Sequence, residues 1–169
     1  YLFRYSVSQG WISPAVRVAM AVGVALAALV GSQYARAKYT VTANALSAGG
    51  IVVLYAAFWA SKAMYDLVPF AAAFVLMVMT TAVAGLLAVR QHNRLAAYLG
   101  LVGGFATPIL LSRGQNAPIA LFGYVFILDV ALLAVAYLRR WSSVAALALG
   151  GTVILQAGWV FTRMQQDQV

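Results

Sequence analysis

Long runs of apolar residues alternate with short polar links along this chain. About 20 consecutive apolar residues are enough for a helix to cross the hydrocarbon core of a bilayer, and several runs here reach that length. Dividing the chain at its polar links predicts six transmembrane spans. They cover approximately residues 14–34, 40–61, 67–89, 95–112, 118–138 and 143–162.

Pairs of adjacent glycines divide these spans into similar units. The pairs lie near the middle of the second, fourth and sixth spans, and they recur at intervals of about 50 residues. Because short links join antiparallel neighbours, the spans form three consecutive hairpins. The sequence therefore predicts an all-α, polytopic transmembrane helical bundle of about six spans, arranged as three helical-hairpin repeats. A single transmembrane region over residues 1–169 would contain repeat units at approximately 11–62, 66–113 and 117–163.

The paired glycines are predicted to be helix-packing positions. A glycine inside a helix costs roughly 1 kcal/mol relative to alanine, but its missing side chain lets two backbones approach, and packing drives helix association in lipid. The alternative is a hinge or a stretch of unwound backbone, as at some transporter sites. The first span offers a further close-packing face. The paired positions are Gly49, Gly50, Gly103, Gly104, Gly150 and Gly151, and the further face consists of Gly23, Ala27 and Gly31.

Composition supports a membrane protein and argues against a nucleic-acid-binding one. The chain is 64% hydrophobic and only 8% charged, whereas a soluble domain carries about 25% charged residues. The net charge of +8 comes from basic residues that stand singly at the ends of apolar runs, as anchors for lipid phosphates do. The expected partners are membrane lipids and other helices, from the same longer chain or from partner membrane proteins.

Basic residues are distributed unevenly over the links, which predicts the orientation. Three links carry six of them, and the other two links carry two, one of which is offset by Asp66. By the positive-inside rule, links 36–38, 90–94 and 139–142 face the cytoplasm of a multi-pass protein in a bacterial inner membrane. The two sets are Arg36, Lys38, Arg90, Arg94, Arg139 and Arg140, against Lys62 and Arg113.

Asp129 is the only acidic residue inside a predicted span. A charged carboxylate near the bilayer centre costs ~2.5–3.5 kcal/mol on insertion scales, and no span-centre Lys or Arg is available. We therefore expect Asp129 to be neutral, or to pair with an arginine from outside this segment. It would either bind a proton or cation, or tie helices together by hydrogen bonds. The polar residues at similar depth are Gln156, Thr80, Thr81 and Thr107.

Pro108 interrupts the fourth predicted span. Because proline has no N–H, it leaves the carbonyl of Gly104 without its usual helical donor. Together with Gly103 and Gly104, this predicts a bent or partly unwound helix, which is either a static kink or a moving part.

Sites for catalysis, cofactors or metals are not predicted. The chain has no cysteine, which excludes disulfides and thiolate sites. The single histidine, His92, lies in a polar link without a carboxylate nearby and is interpreted as a solvated loop residue. Neither a paired carboxylate set, a Ser/His/Asp arrangement nor a phosphate-binding glycine loop is visible.

Several segments resemble a large bacterial family of many-pass predicted membrane proteins of unknown function. The segments are residues 10–17, 46–55, 103–112 and 121–124, and the Gly-Gly-Phe-x-Thr-Pro stretch that begins at Gly103 is the most specific. The resemblance covers most of the chain. It implies that this segment is a fragment of a much longer protein with many more spans, and it implies no catalytic residue.

Three functions are compatible with these features. The leading hypothesis is a non-enzymatic scaffold or assembly subunit, favoured by short links and close-packing glycines. The alternative is a transporter or flippase-like protein that uses Asp129, with Pro108 and Gln156, as its intramembrane functional positions. A membrane enzyme acting on lipid-linked substrates ranks third, since no acid/base or metal set is present.

Overall fold

A computed structural model of the protein describes residues 13–111 and 118–166, and within these ranges it contains α-helices and no strand. The all-α prediction is confirmed. Three helices are each long and apolar enough to cross a membrane, namely α1, α2 and α3, and two of the remaining helices contain shorter apolar stretches. The helices are α1 (Pro14–Ala35), α2 (Thr40–Ala63), α3 (Phe70–Gln91), α4 (Arg94–Leu111), α5 (Pro118–Arg139) and α6 (Ser142–Gln166).

Local signals explain where several helices begin. Ser13 accepts a hydrogen bond from the backbone N–H of Val16 at 3.4 Å, ahead of Pro14 in the first helical turn. This is the predicted arrangement of an N-cap and a proline that needs no donor. Asn93 starts α4 in the same manner, because its Oδ1 accepts from the N–H groups of Leu95 and Ala96 at 3.0 and 3.3 Å.

The tightest links use left-handed backbone. His92 and Arg140 have φ of 53° and 54° and directly follow α3 and α5. A left-handed residue just after a helix lets the chain reverse within a few residues. The corresponding links 92–93 and 140–141 therefore have similar conformations, although neither uses the glycine that usually occupies this position.

The structure departs from the predicted helices at two places. The last helix does not end near residue 162 but continues to Gln166, because Arg163, Met164 and the glutamines that follow are good helix formers. The fourth helix is not unwound at Pro108, which lies inside a continuous α4, and the predicted bend stays a prediction. The reason for the continuity is a replacement hydrogen bond, described below.

The chain divides into two compact units, residues 1–80 and 81–169, with the division falling inside α3. In the first unit, α1 packs against α2 as an antiparallel hairpin. In the second unit, α4, α5 and α6 pack against one another, and the last part of α3 packs against α4. A repeat of three equivalent hairpins stays a prediction.

The second glycine of each pair makes the predicted close contact. A Cβ at Gly50 would lie 2.9 Å from Leu29 Cγ, one at Gly104 would lie 2.8 Å from Leu128 Cδ1, and one at Gly151 would lie 2.7 Å from the Phe105 ring. A Cβ at Gly49 or Gly150 would meet nothing within 4 Å among the described residues. The packing interpretation therefore holds for the second glycine of each pair.

The small-residue face predicted on α1 is not covered by another part of the described chain. Added Cβ atoms at Gly23 and Gly31 would also meet nothing within 4 Å, and Ala27 is exposed. Instead, α1 packs on α2 through Ala25 and Leu29, which are buried. The helix thus uses its larger side chains here, and leaves its glycines on another side.

Buried hydroxyl groups are satisfied within their own helices. Because a bilayer core contains no water to pair with them, polar groups there need partners inside the protein. Serine and threonine commonly donate to the carbonyl one turn earlier. Five of them do so here, namely Ser32 to Leu29 O (2.6 Å), Ser47 to Asn44 O (3.0 Å), Ser61 to Phe58 O (2.7 Å), Thr80 to Leu76 O (2.9 Å) and Thr107 to Gly103 O (2.7 Å).

The first glycine pair offers a matched test of this packing. We expect Gly50→Ala to lower the free energy of unfolding by about 1–3 kcal/mol, because its Cβ would press on Leu29 and on the backbone oxygen of Ala25 at 3.0 Å. Gly49→Ala is expected to raise stability by up to about 1 kcal/mol, through helix propensity alone. Unfolding of the full-length protein in detergent measures both, and equal losses in the two variants would contradict this packing.

Candidate functional site

Asp129 lies on α5 and is bonded to α6 through Thr152. The Thr152 hydroxyl oxygen lies 2.8 Å from Oδ1 and 2.7 Å from Oδ2 of the Asp129 carboxyl group. Both side chains are half-buried. The prediction that Asp129 ties helices together by hydrogen bonding thus agrees with the geometry.

The predicted partners of Asp129 are not the ones that the structure places beside it. Among the described residues, Thr152 binds the carboxyl group, whereas Thr107 bonds within α4 and Gln156 has an exposed side chain. Thr80 likewise donates within its own helix. Sequence reasoning therefore missed Thr152.

A count of residues from the link would have identified Thr152. Asp129 lies as many residues before Arg139, the end of α5, as Thr152 lies after Ser142, the start of α6. Because both helices rise 1.5 Å per residue in opposite directions, equal counts place the two residues at the same depth. Gln156 lies one turn further along α6, about 6 Å beyond that depth.

The Thr152 hydroxyl has one hydrogen to donate, but three acceptor oxygens lie within hydrogen-bonding distance of it. The Thr152 hydroxyl carries one hydrogen, yet its oxygen also lies 3.1 Å from the carbonyl oxygen of Ala148. An ionised Asp129 would receive at most one hydrogen bond from it. A protonated Asp129 could instead donate to Thr152, which would leave the threonine hydrogen for the Ala148 carbonyl.

A second polar contact joins α5 to α4 at the position of Pro108. The Tyr124 hydroxyl donates to the carbonyl oxygen of Gly104 at 2.8 Å. This is the carbonyl that Pro108 deprives of its helical donor, four residues later in the chain. The tyrosine therefore replaces the missing N–H, which allows α4 to stay helical through the proline.

Other hydroxyl groups surround the Tyr124 contact. Thr107 donates to the carbonyl of Gly103 at 2.7 Å, and the Tyr124 hydroxyl also interacts with the side chains of Thr107 and Thr81. The sequence contained a signal for this cluster, since a tyrosine inside a span needs a partner for its hydroxyl. Tyr124 was not predicted as a site residue, because the carbonyl and the tyrosine are on different helices.

The links at one end of the second unit form a separate polar contact region. The Arg139 guanidinium donates to the carbonyl of Val89, near the end of α3, and lies 2.6 Å from the Nε2 atom of His92. His92 is exposed, as predicted for a loop histidine, but it is in contact with α5 rather than with solvent alone. Arg94 lies over the Trp141 ring at 5.6 Å.

These contacts connect helices. Within residues 13–111 and 118–166, no group of three or more His, Cys, Asp or Glu side chains is close enough to hold a metal ion. The side chains of Asp129 and Tyr124, both inside predicted spans, each bind a neighbouring helix. What they provide chemically is hydrogen bonding and, at Asp129, one titratable carboxyl group.

Comparison with known proteins adds one assignment. Residues 1–169 match the model of the family described as Predicted membrane protein (DUF2339). The chain belongs to this family. Neither the curated proteins nor the solved structures contain a match to it.

Membership of DUF2339 confirms the resemblance seen in the sequence and supports a membrane location. The family is described by its location and not by an activity, so roles in this DUF2339 segment depend on geometry. That geometry assigns Asp129 and Thr152 to the α5–α6 contact, and Tyr124 to the α4–α5 contact.

Removing the donor to Asp129 tests the first contact. We expect Thr152→Val, which keeps the shape and removes the hydroxyl, to lower the unfolding free energy of the full-length protein by about 1–2 kcal/mol. Thr152→Ser keeps the donor and is the matched control, with a smaller loss. Unfolding in detergent or nanodiscs distinguishes them, and a stable Thr152→Val protein would show that the hydrogen bond contributes nothing.

The Tyr124 contact is tested best by combining two substitutions. Tyr124→Phe alone should cost about 0.5–1.5 kcal/mol of stability, because the Gly104 carbonyl loses its donor. Pro108→Ala supplies a backbone N–H for the same carbonyl, so Tyr124→Phe should cost less in that background. A double-mutant cycle measures this coupling, and strictly additive losses would show that Tyr124 does not substitute for the proline.

Proposed function

We propose that this segment is a non-enzymatic scaffold or assembly element of a bacterial inner-membrane protein. The observation that carries this proposal is that two polar side chains inside the predicted spans, Asp129 and Tyr124, connect neighbouring helices. Asp129 is bonded to α6, and Tyr124 is bonded to α4. A segment built to hold helices in a fixed arrangement needs such contacts and does not need a reactive group.

The packing of the glycines supports the same proposal. Gly50, Gly104 and Gly151 each lie so close to a side chain of a neighbouring helix that an added Cβ would overlap with it. Close contacts of this kind favour a fixed helix arrangement, because packed interfaces do not deform continuously. The hinge alternative is not favoured, since α2, α4 and α6 are continuous helices through their glycine pairs.

Many large apolar side chains face outward, which suits a protein surrounded by lipid or by other helices. A soluble protein rarely exposes apolar surface on this scale. On this proposal the outward faces contact lipid and partner helices, and links 36–38, 90–94 and 139–142 lie in the cytoplasm. The most exposed of these side chains include Val24 (65%), Val41 (83%), Phe126 (69%), Ile127 (68%) and Ile154 (72%).

A transporter or flippase-like role is the second candidate, and a specific observation favours it. Asp129 is half-buried and its carboxyl group has more acceptor sites than Thr152 has hydrogens. The exposed Gln156 lies one helical turn from Thr152 on α6. A proton or cation could occupy the unused side of this carboxyl group, as at ionisable residues inside other membrane proteins.

Purification of the full-length protein in mild detergent tests the two candidates. On the scaffold proposal, we expect a stable complex with at least one other membrane protein. Asp129→Asn should leave that complex intact, because an amide oxygen can still accept from Thr152. The matched control is Asp66→Asn, which removes the other described carboxylate from a link and outside the predicted spans.

A different result would favour transport. A monomer that carries a bound solute, together with pH-dependent uptake into vesicles that Asp129→Asn abolishes and Asp66→Asn does not, would overturn the scaffold proposal. Folding of each variant is checked by its elution and its unfolding midpoint, so that loss of function is not confused with loss of structure.

A further inference from the structure

Four arginines at one end of the second unit have no acidic partner among residues 13–111 and 118–166. Arg90, Arg94, Arg139 and Arg140 flank the two links that follow α3 and α5. Within the part of the chain that the structure describes, the only ion pair joins Lys62 to Asp66, in the first unit. Asp129 lies about 15 Å further along α5, at 1.5 Å per residue.

The contacts that these arginines do make involve neutral groups. Arg139 donates to the Val89 carbonyl and contacts His92, and Arg94 lies over the ring of Trp141. Such contacts position the side chains but leave the positive charge of the cluster unbalanced. At the surface of a bilayer, the abundant counter-charge is lipid phosphate.

A groove beside this cluster combines an apolar part with a basic end. It has a volume of about 350 Å³ and lies along the α5–α6 hairpin. Leu133, Ala136 and Ala145 supply an apolar part, and Arg140, Trp141 and Ser142 supply a polar end. Leu133 and Arg140 are separated by about 10 Å along α5, so the groove changes from apolar to basic along its length.

We propose that this groove binds an anionic phospholipid. The phosphate would lie against the Arg140 guanidinium and the Ser142 hydroxyl, and an acyl chain would lie along Leu133, Ala136 and Ala145. Trp141 suits the level of the headgroups, because its ring is apolar and its N–H is polar. The site is independent of the scaffold proposal, since it rests on the links and not on Asp129.

The apolar half of the groove distinguishes a lipid from other anions. Inorganic phosphate would contact the basic end only, and it would leave the apolar part exposed to solvent. A phospholipid satisfies both parts at once, and it is the anion whose apolar portion already lies at this depth in a membrane. Charge complementarity and position therefore agree on the same occupant.

Native mass spectrometry of the delipidated full-length protein tests the proposal. The probes are phosphatidylglycerol and phosphatidylcholine with identical acyl chains. We expect preferential retention of phosphatidylglycerol, and an about fivefold weaker retention in Arg140→Gln, which is the loss expected for one basic residue near the membrane surface. Arg140→Lys should keep most of the binding, because it keeps the charge.

Lys38→Gln is the matched control, since Lys38 is a link residue in the first unit whose charge lies over the Tyr39 ring. An equal loss in Lys38→Gln would overturn the proposal, because it would show a diffuse charge effect. Equal retention of the two lipids, or displacement of phosphatidylglycerol by millimolar inorganic phosphate, would also overturn it. Unfolding midpoints of the variants identify any loss that comes from misfolding.

Discussion

The absence of water inside a bilayer is the constraint on which the rest of this structure depends. A polar group in that environment must find its partner within the protein. Pro108 creates such a group by freeing the Gly104 carbonyl, and the Tyr124 hydroxyl on the next helix binds it. Buried serines and threonines meet the same requirement within their own helices. Hydrogen bonding therefore determines which side chains α5 must direct toward α4 and α6.

Close packing and hydrogen bonding act at the same places in the second unit. Gly104 packs against Leu128, and its carbonyl accepts a hydrogen bond from Tyr124, which lies one turn before Leu128 on α5. Gly151 receives the Phe105 ring, and the next residue, Thr152, binds Asp129. The glycines let the helices come close, and the polar groups fix how far each helix slides along its neighbour. Neither effect alone would define a single arrangement.

The sequence predicted helices and caps better than it predicted which residues meet. Apolar run length identified the helices, and the missing donor at Pro108 was predictable from covalent chemistry. The partner of that carbonyl was not, because a tyrosine on another helix is identified only when helix rotation is known. Thr152 is a different case, since its equal distance from the α5–α6 link places it level with Asp129. The unpacked side of Gly49 was equally unpredictable, because sequence gives the spacing of glycines but not their neighbours.

Comparing the first hairpin with the third predicted repeat unit shows what Asp129 adds. Ala25 follows Pro14 by the same number of residues as Asp129 follows Pro118, and Ala25 packs directly beside Gly50 without any side-chain hydrogen bond. Two helices of this kind can therefore pack without a carboxyl group. An acid inside a span costs free energy of insertion, so its role must be something that packing alone does not supply. At Asp129 the structure shows a directional bond to Thr152, which favours one register of α5 against α6.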